Sequence, residues 1–452
     1  MKSISPVTGE VLTEYREHSP EEFSAIISRV HESWKSWKEQ SFSYRAGLFL
    51  RMAGVIRSDK DRLARLMTSE MGKLLRESVA EIEKCAAVCE YYAANAEKML
   101  GDELIVSDAG RSLVCFQPIG VVLAVMPWNF PFWQVFRFAA PSLMAGNAAV
   151  LKHASNVPGC ALAIEELFVT AGFPEDIFRT LMIPASSVEA VINNPLVKAA
   201  TLTGSEDAGS KVASAAGRNL KKTVLELGGS DPFIVLEDAD LDKAVATAIS
   251  SRMVNQGQTC ISAKRFIVSE KILAEFTKKL VRLVSELRMG DPLDPSTQVA
   301  PLARPDLVDD IESQVKRSVA QGASLLCGGN RPSLQGFYYE PAVLSNVTPC
   351  MPVYKEETFG PVFTILPFAT EEEAVSIAND TRFGLAGAVW TKDPEKGERI
   401  AREVETGAMF VNGMVKSDPR LPFGGVKKSG YGRELASYGI KEFVNIKTIW
   451  IA

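Results

Sequence analysis

The segment Gln-Gly-Gln-Thr-Cys at positions 256–260 holds the residue in this chain best suited to covalent chemistry. A cysteine that attacks a substrate needs a sharp backbone turn, a thiolate that is not sealed in apolar surroundings, and free backbone N–H groups to hold an anion. Gly257 can supply the turn, and Gln258 and Thr259 make the surroundings polar. Alone, the pentapeptide is a weak signal, because most free cysteines are inert core residues. Partners stand elsewhere in the chain: Glu226 in Leu-Glu-Leu-Gly-Gly and Asn129 in Pro-Trp-Asn-Phe-Pro. Together a thiol, a carboxylate and a carboxamide offer a nucleophile, a base and an oxyanion donor.

The elements that must position these groups follow from the apolar rhythm. Between residues 19 and 100 the spacing is helical, with Phe23, Ile26, Ile27 and Val30 on one stripe and Ile82, Cys85, Ala86 and Cys89 on another. Residues 104–106 and 113–116 read as a short hairpin, too small to bury a face alone. From 121 the pattern changes to short apolar runs at 121–126, 148–152, 178–183, 199–203 and 222–227 with helical stretches between them. That alternation predicts a parallel sheet covered on both faces, with ligands beyond the carboxyl ends of its strands. Asn129, Lys152, Thr203 and Glu226 all fall at or just past such ends. A second alternating set runs from Pro232 towards residue 410, with Cys260 in a loop near its start, and 443–451 is a β-rich tail. The expected class is therefore α/β, with two doubly wound parallel-sheet domains.

Bulk properties narrow the function. The chain has 452 residues, 46% apolar and 23% charged, so ordered domains are expected. A formal charge of −5 argues against nucleic acid as a partner. Seven cysteines form an odd, sparse set that suits reduced thiols, and the three histidines have no partner at metal-ligand spacing, so no metal is expected. The long uncharged run 118–136 is interrupted by Pro127, Asn129 and Pro131, which rules it out as a membrane helix. With no apolar leader at the N-terminus, a cytoplasmic protein without membrane association is expected.

No Gly-x-Gly-x-x-Gly follows a strand in the first α/β unit, which counts against an ordinary Rossmann site but not against a dinucleotide held another way. Thr203, Gly204 and Ser205, opening a helix that contains Gly209, are the replacement candidates, since a helix N-terminus presents free N–H groups to a pyrophosphate. A simple helix cap would use the same residues. Lys152 at the end of a buried strand would be costly without an anion or hydroxyl beside it.

The motifs at 127–131, 225–229, 257–260, 357–362 (Glu-Thr-Phe-Gly-Pro-Val) and 422–425 (Pro-Phe-Gly-Gly), in this order over the whole chain, resemble the aldehyde dehydrogenase superfamily. The resemblance implies a cofactor-binding domain (1–103 and 118–228), a catalytic domain (229–428) and a small β oligomerisation arm (104–117 and 429–452). The arm would complete a neighbouring subunit's sheet in a homodimer or homotetramer. It implies NAD(P)-dependent oxidation of an aldehyde to an acid through a thiohemiacetal and thioester on Cys260. Asn129 would be the oxyanion donor and Glu226 the base. Lys152 would hold the adenosine ribose and Glu357 the nicotinamide ribose. Met126, Trp128, Ser155, Thr203, Ser205, Leu227 and Phe359 would complete the cofactor path.

Within the superfamily the likeness is to succinate-semialdehyde dehydrogenases, which implies a small carboxylated aldehyde as substrate. Arg137 and Ser417 match residues that hold the substrate carboxylate there, and Trp133 and Phe423 would line the same pocket. Trp133 and Arg137 are one helical turn apart and would share a face. The second carboxylate-binding arginine of those enzymes has no match: Val254 and Asn255 stand in that region, and Arg252 is displaced. Ser262 stands where several relatives carry a second cysteine, so no active-site disulfide is expected. Ser155 replaces an acidic residue that repels the 2′-phosphate of NADP, so both NAD and NADP are expected to serve, and His153, in place of a common proline, is expected to crowd or contact the same region. Glutarate semialdehyde, uncharged aldehydes, a CoA-acylating reaction and a non-catalytic relative of the fold are the alternative readings.

Overall fold

In the computed structural model, which describes residues 1–452, the helical spacing before residue 100 becomes the helices Pro20–Trp37, Phe42–Ser58, Lys60–Met71 and Leu75–Met99. The first opens on a capping box: Glu22 N donates to Ser19 Oγ, and Ser19 N donates to the Glu22 carboxylate. Two otherwise orphaned donors are thereby satisfied locally. Ahead of these helices, Lys2–Ile4 and Val11–Glu14 pair antiparallel. That hairpin has no apolar signature, since Val11–Glu14 is exposed throughout, and the sequence pattern does not announce it.

The first α/β unit is a six-stranded sheet in the order Gly430–Tyr431, Lys222–Glu226, Val197–Thr203, Val121–Met126, Ala148–His153, Phe178–Thr180. The strands from 121 to 226 run parallel, and Gly430–Tyr431 adds antiparallel at one edge. The chain starts at Val121–Met126, builds outward to one edge, then returns to Val197–Thr203 on the other side. The strand order therefore reverses between these two strands, and Asn129 and Thr203 follow their carboxyl ends, where α/β sheets bind ligands.

The second unit is a seven-stranded sheet in the order Ser324–Cys327, Ala342–Ser345, Val362–Phe368, Ala263–Ser269, Asp231–Val235, Ala386–Trp390, Ala408–Val411, parallel except at its first strand. Its strands are apolar on both faces, and the alternation divides them between two cores. Ile234 and Ile267 belong to a cluster of 98 buried residues that continues through the first unit. Phe233, Val235, Phe266 and Val268 point into a separate cluster of 21. The shared larger core fixes the two units against each other. Cys260 precedes Ala263–Ser269 and so lies at the amino end of the second sheet, facing the carboxyl ends of the first.

Glu103–Ile105, Arg111–Pro118 and Val444–Ile451 form a third sheet, in which the tail pairs with Arg111–Pro118 along its whole length, from Val444↔Pro118 to Ile451↔Arg111. The expected arm 429–452 is therefore corrected: Gly430–Tyr431 belongs to the first sheet, held there by register with Glu226 and Leu225. Only the residues from Val444 join the expected hairpin. Asn147 ties the tail in, its Nδ2 donating to Phe443 O at 2.8 Å while its Oδ1 accepts from Ile119 N and Gly120 N. No helix is long and apolar enough to cross a membrane.

Candidate active site

The nucleophile loop is built from consecutive left-handed residues. Helix Leu241–Met253 ends, and Asn255, Gln256 and Gly257 follow at φ +50°, +53° and +76°. Only glycine fits the last position, because a Cβ on Gly257 would stand 2.2 Å from Gly360 O. Left-handed Asn255 and Gln256 are held by surrounding bonds, as such conformations require. Asn255 N donates to Glu77 Oε2 (3.1 Å), Asn255 Nδ2 to Asn129 O (2.9 Å), and Gln258 Nε2 to Asn255 O (3.1 Å). Gln258 and Thr259 are buried braces rather than polar surroundings: Ala303 N donates to Gln258 Oε1 at 2.9 Å, and Thr259 Oγ1 to Val254 O at 3.0 Å.

Arg252 and Ser262 brace the same loop. Arg252 is fully buried and donates to Ser262 Oγ (2.9 Å), Thr358 O (2.7 Å) and Gly360 O. Lys264 Nζ donates to Thr259 O (2.9 Å) and Cys260 O (2.6 Å). With its carbonyl held this way, the Cys260 N–H keeps no acceptor within the chain. It is available to an oxyanion, beside Asn129. Asn129 Nδ2 donates once, to Gln258 O at 3.0 Å, and its Oδ1 accepts from Gln134 Nε2 at 3.2 Å, so the amide is oriented with one N–H to spare. Burial pushes the Cys260 thiol up to about 12, against the pull of Lys264 and Arg137.

Glu226 departs from the simple picture of three groups around one carbonyl. It is buried at the end of its strand, and neither carboxylate oxygen has a hydrogen-bond partner. The side chain packs against Gly424, where a Cβ would lie 2.7 Å from Glu226 Oε1. It borders neither chamber next to Cys260, although its neighbours Leu227 and Gly228 do. Burial, and next the charge of Glu434, hold its carboxyl well above the usual range. Glu434 is ion-paired with Arg137, whose Nη2 also donates to Thr203 Oγ1 at 3.3 Å. The Arg137 guanidinium pairs with Glu434 rather than with Glu226, which is left without a partner of opposite charge.

Two chambers of about 260 Å³ each meet at Cys260 and Gln134. One is lined by Trp128, Asn129, Thr203, Ser205, Leu227, Glu357 and Phe359, which brings most of the expected cofactor residues together. Glu357 spans it, accepting from Gly229 N at 3.0 Å and lying 3.5 Å from Lys264 Nζ. Gly228 has no Cβ because one would meet Glu357 Oε2 at 2.3 Å. Ser205 caps helix Glu206–Arg218, accepting from Ala208 N, so both the cap and the open helix end are present. Met126 and Lys152 stand at the carboxyl ends of neighbouring strands and Ser155 just past the second, outside the lining of this chamber. Lys152 is buried, and burial alone lowers its pKa, with no acid or hydrogen-bonding partner of its own. A ribose hydroxyl or phosphate would satisfy it, so these residues fit a nicotinamide dinucleotide. His153 does not contact that region as expected. Its Nε2 bonds Pro131 O (2.9 Å), its Nδ1 accepts from Ala154 N (2.8 Å), and burial lowers its pKa to about 4.

The second chamber contains Trp133, Arg137, Ser417 and Phe423 together with Cys260, so the expected substrate residues converge. Trp133 and Arg137 share one face of helix Trp133–Met144. The helix start is fixed by Glu81, which accepts from Phe132 N and Trp133 N at 2.9 Å each and pairs with buried Lys73. A carboxylate at a helix N-terminus also favours the helix dipole. Arg137 meets an internal carboxylate, Glu434, so its burial does not by itself require a substrate anion. Sequence reasoning missed Lys84, Glu77 and Gln134 in the lining, and the helical stripe 77, 80, 81, 84 is the signal that could have found two of them.

The comparisons agree with this geometry. The model of the aldehyde dehydrogenase family matches residues 1–449. A protein of Synechocystis sp. named probable succinate-semialdehyde dehydrogenase [NADP(+)] is 50% identical over 450 residues, covering 100% of this chain and 99% of that one. Succinate-semialdehyde dehydrogenase [NADP(+)] 1 of Mycobacterium tuberculosis is 48% identical over 453 residues, covering 100% and 99%. The crystal structure of succinic semialdehyde dehydrogenase from Streptococcus pyogenes in complex with NADP+ superposes with a TM-score of 0.98 at 39% identity, covering 100% and 99%. With its motifs, its sheets and its cysteine between two chambers all matching, this chain belongs to the aldehyde dehydrogenase family.

Proposed function

We propose that the protein oxidises succinate semialdehyde to succinate with NADP as its preferred oxidant. The observation that carries this reading is the chamber beside Cys260, which combines aromatic walls (Trp133, Phe423) with the Ser417 hydroxyl and three basic side chains, Arg137, Lys84 and Lys416. The names of the similar enzymes support the same substrate and cofactor.

As the thiolate, its proton lost to solvent, Cys260 Sγ bonds to the aldehyde carbon, and the oxygen that gains charge is held by Asn129 Nδ2 and the Cys260 N–H. One such donor contributes about 2.7–4 kcal/mol in the transition state. Oxidation of that carbon to a thioester on sulfur requires a hydride acceptor, which a bound nicotinamide dinucleotide would supply. Glu226 then takes a proton from the water that cleaves the thioester. To do so its side chain must swing from Gly424 towards Cys260, out of the burial that holds its carboxyl above the usual range. Lys152 and Glu357 would hold the two riboses. Ser155 is exposed and carries no charge, so it leaves room for a 2′-phosphate.

An odd, sparse set of seven cysteines, none paired with another, supports a cytoplasmic location. The third sheet leaves Ile446, Trp450 and Ile451 exposed along the tail strand, which supports a subunit contact in a homodimer or homotetramer. The test of function is a substrate panel with NADP. Succinate semialdehyde should exceed butanal of equal chain length by at least tenfold in kcat/KM, and equal use of the two would overturn the reading.

A further inference from the structure

The carboxylate-binding arginine missing before the nucleophile leaves Val254, an apolar side chain, in the chamber wall. Arg137 is already neutralised by Glu434. A chamber with only these groups would offer an incoming carboxylate little net positive charge. Of the two other cations in the lining Lys416 is exposed, and the one held within the wall is Lys84. It lies on helix Leu75–Met99, where residues 77, 80, 81 and 84 form one stripe that walls the chamber. Its Nζ donates to Ser417 Oγ at 2.7 Å and stands 4.0 Å above the Trp133 ring.

The acids nearby are committed elsewhere. Glu81 pairs with Lys73 and caps the Trp133 helix. Asp418 pairs with Arg420 at 2.6 Å, and Glu83 with Arg57 and Lys60. Glu77 accepts from Asn255 N, and burial pushes its carboxyl up to about 7. Lys84 therefore holds its charge against a hydroxyl and an aromatic face, with Arg137 as a like charge facing it. Its pKa falls to about 8, from burial first and Arg137 second.

We propose that Lys84 is the carboxylate-recognising cation of this chamber, forming with Ser417 a clamp for the acid group of a short ω-carboxylated aldehyde whose carbonyl is at Cys260. Here the clamp stands in for the arginine that has no match in the region of Val254 and Asn255. The Ser417 hydroxyl accepts from Lys84 and so keeps its own proton to donate to the carboxylate, while the ammonium has further N–H donors for the same anion. This inference rests on the reading that the substrate is carboxylated.

The test compares wild type, Lys84→Met and Lys84→Arg with succinate semialdehyde and butanal, and measures succinate binding to the cofactor-free protein by calorimetry. Loss of a charge-assisted bond predicts that the kcat/KM ratio of succinate semialdehyde to butanal falls about ten- to a hundredfold in Lys84→Met. The fall should lie in KM, succinate should bind correspondingly more weakly, and Lys84→Arg should recover most of both. A wild type that prefers succinate semialdehyde, with Lys84→Met keeping that preference, would overturn the role of Lys84 and leave the carboxylated substrate standing. A wild type without the preference would overturn both. Equal losses on both aldehydes with a lowered Tm would make Lys84 a structural residue and also overturn the proposal.

Discussion

Asn129→Ala isolates the oxyanion donor. In the folded protein the amide makes two bonds: Nδ2 to Gln258 O at 3.0 Å and Oδ1 from Gln134 Nε2 at 3.2 Å. Truncation removes both, yet Gln258 O keeps a second donor in Asn255 Nδ2 at 3.3 Å, and only the Gln134 amide loses its acceptor. The expected stability loss is about 1–3 kcal/mol, the cost of stranding one buried polar group. The catalytic loss is separate and larger in effect: about 2.7–4 kcal/mol of transition-state stabilisation, or about a hundred- to a thousandfold in kcat. The Cys260 N–H is untouched, so activity persists above background. The assay is NADPH formation under saturating substrate, with the rate of Cys260 alkylation by iodoacetamide as control. The amide does not set the thiol's ionisation, so alkylation should match wild type. A loss in kcat below about tenfold, with alkylation unchanged, would refute the claim that this amide holds the developing charge.

Three further outcomes follow from the geometry. Gly257→Ala places a Cβ 2.2 Å from Gly360 O at φ +76°, and should cost about 2–4 kcal/mol in urea unfolding and displace the nucleophile; a loss below about 0.5 kcal/mol would contradict the close approach. Ser155→Asp should lower the NADP to NAD efficiency ratio by about tenfold or more through repulsion of the 2′-phosphate, and an unchanged ratio would show that the ribose end binds elsewhere. Because the Lys84 ammonium is lost above its lowered pKa, KM for succinate semialdehyde should rise as pH passes about 8, while that for butanal stays level; parallel profiles would count against Lys84 as the ligand-binding cation.

The sequence shows the strands of both units because short, continuously apolar runs alternate with helical stretches, and Cys260, Asn129, Trp133, Arg137, Ser417 and Phe423 do line the two chambers that meet at Cys260. What it hides is interaction at long range. The cap that Glu81 provides for helix Trp133–Met144 spans 51 residues, and the brace from Arg252 to Gly360 spans 108, so neither leaves a local spacing to read. The strand Gly430–Tyr431 is too short to carry a pattern and is placed by its partners Leu225 and Glu226. Lys84 looks from the sequence like a solvent-facing lysine of a long helix, and only the arrival of Ser417 and Trp133 turns it into part of a chamber. The orientation of Glu226 is likewise set by Gly424 and Glu434, residues about two hundred positions away, and no motif around Glu226 encodes it.

The central claim is that Cys260 carries the acyl group and Glu226 delivers the water that removes it. Its most direct test is intact-mass and peptide mass spectrometry of Glu226→Gln mixed with succinate semialdehyde and NADP, with NADPH followed in parallel. The account predicts a single burst of NADPH, negligible turnover, and one succinyl group retained on the peptide that contains Cys260. Steady turnover without retained acyl group, or an acyl group on another cysteine such as Cys350, would contradict it.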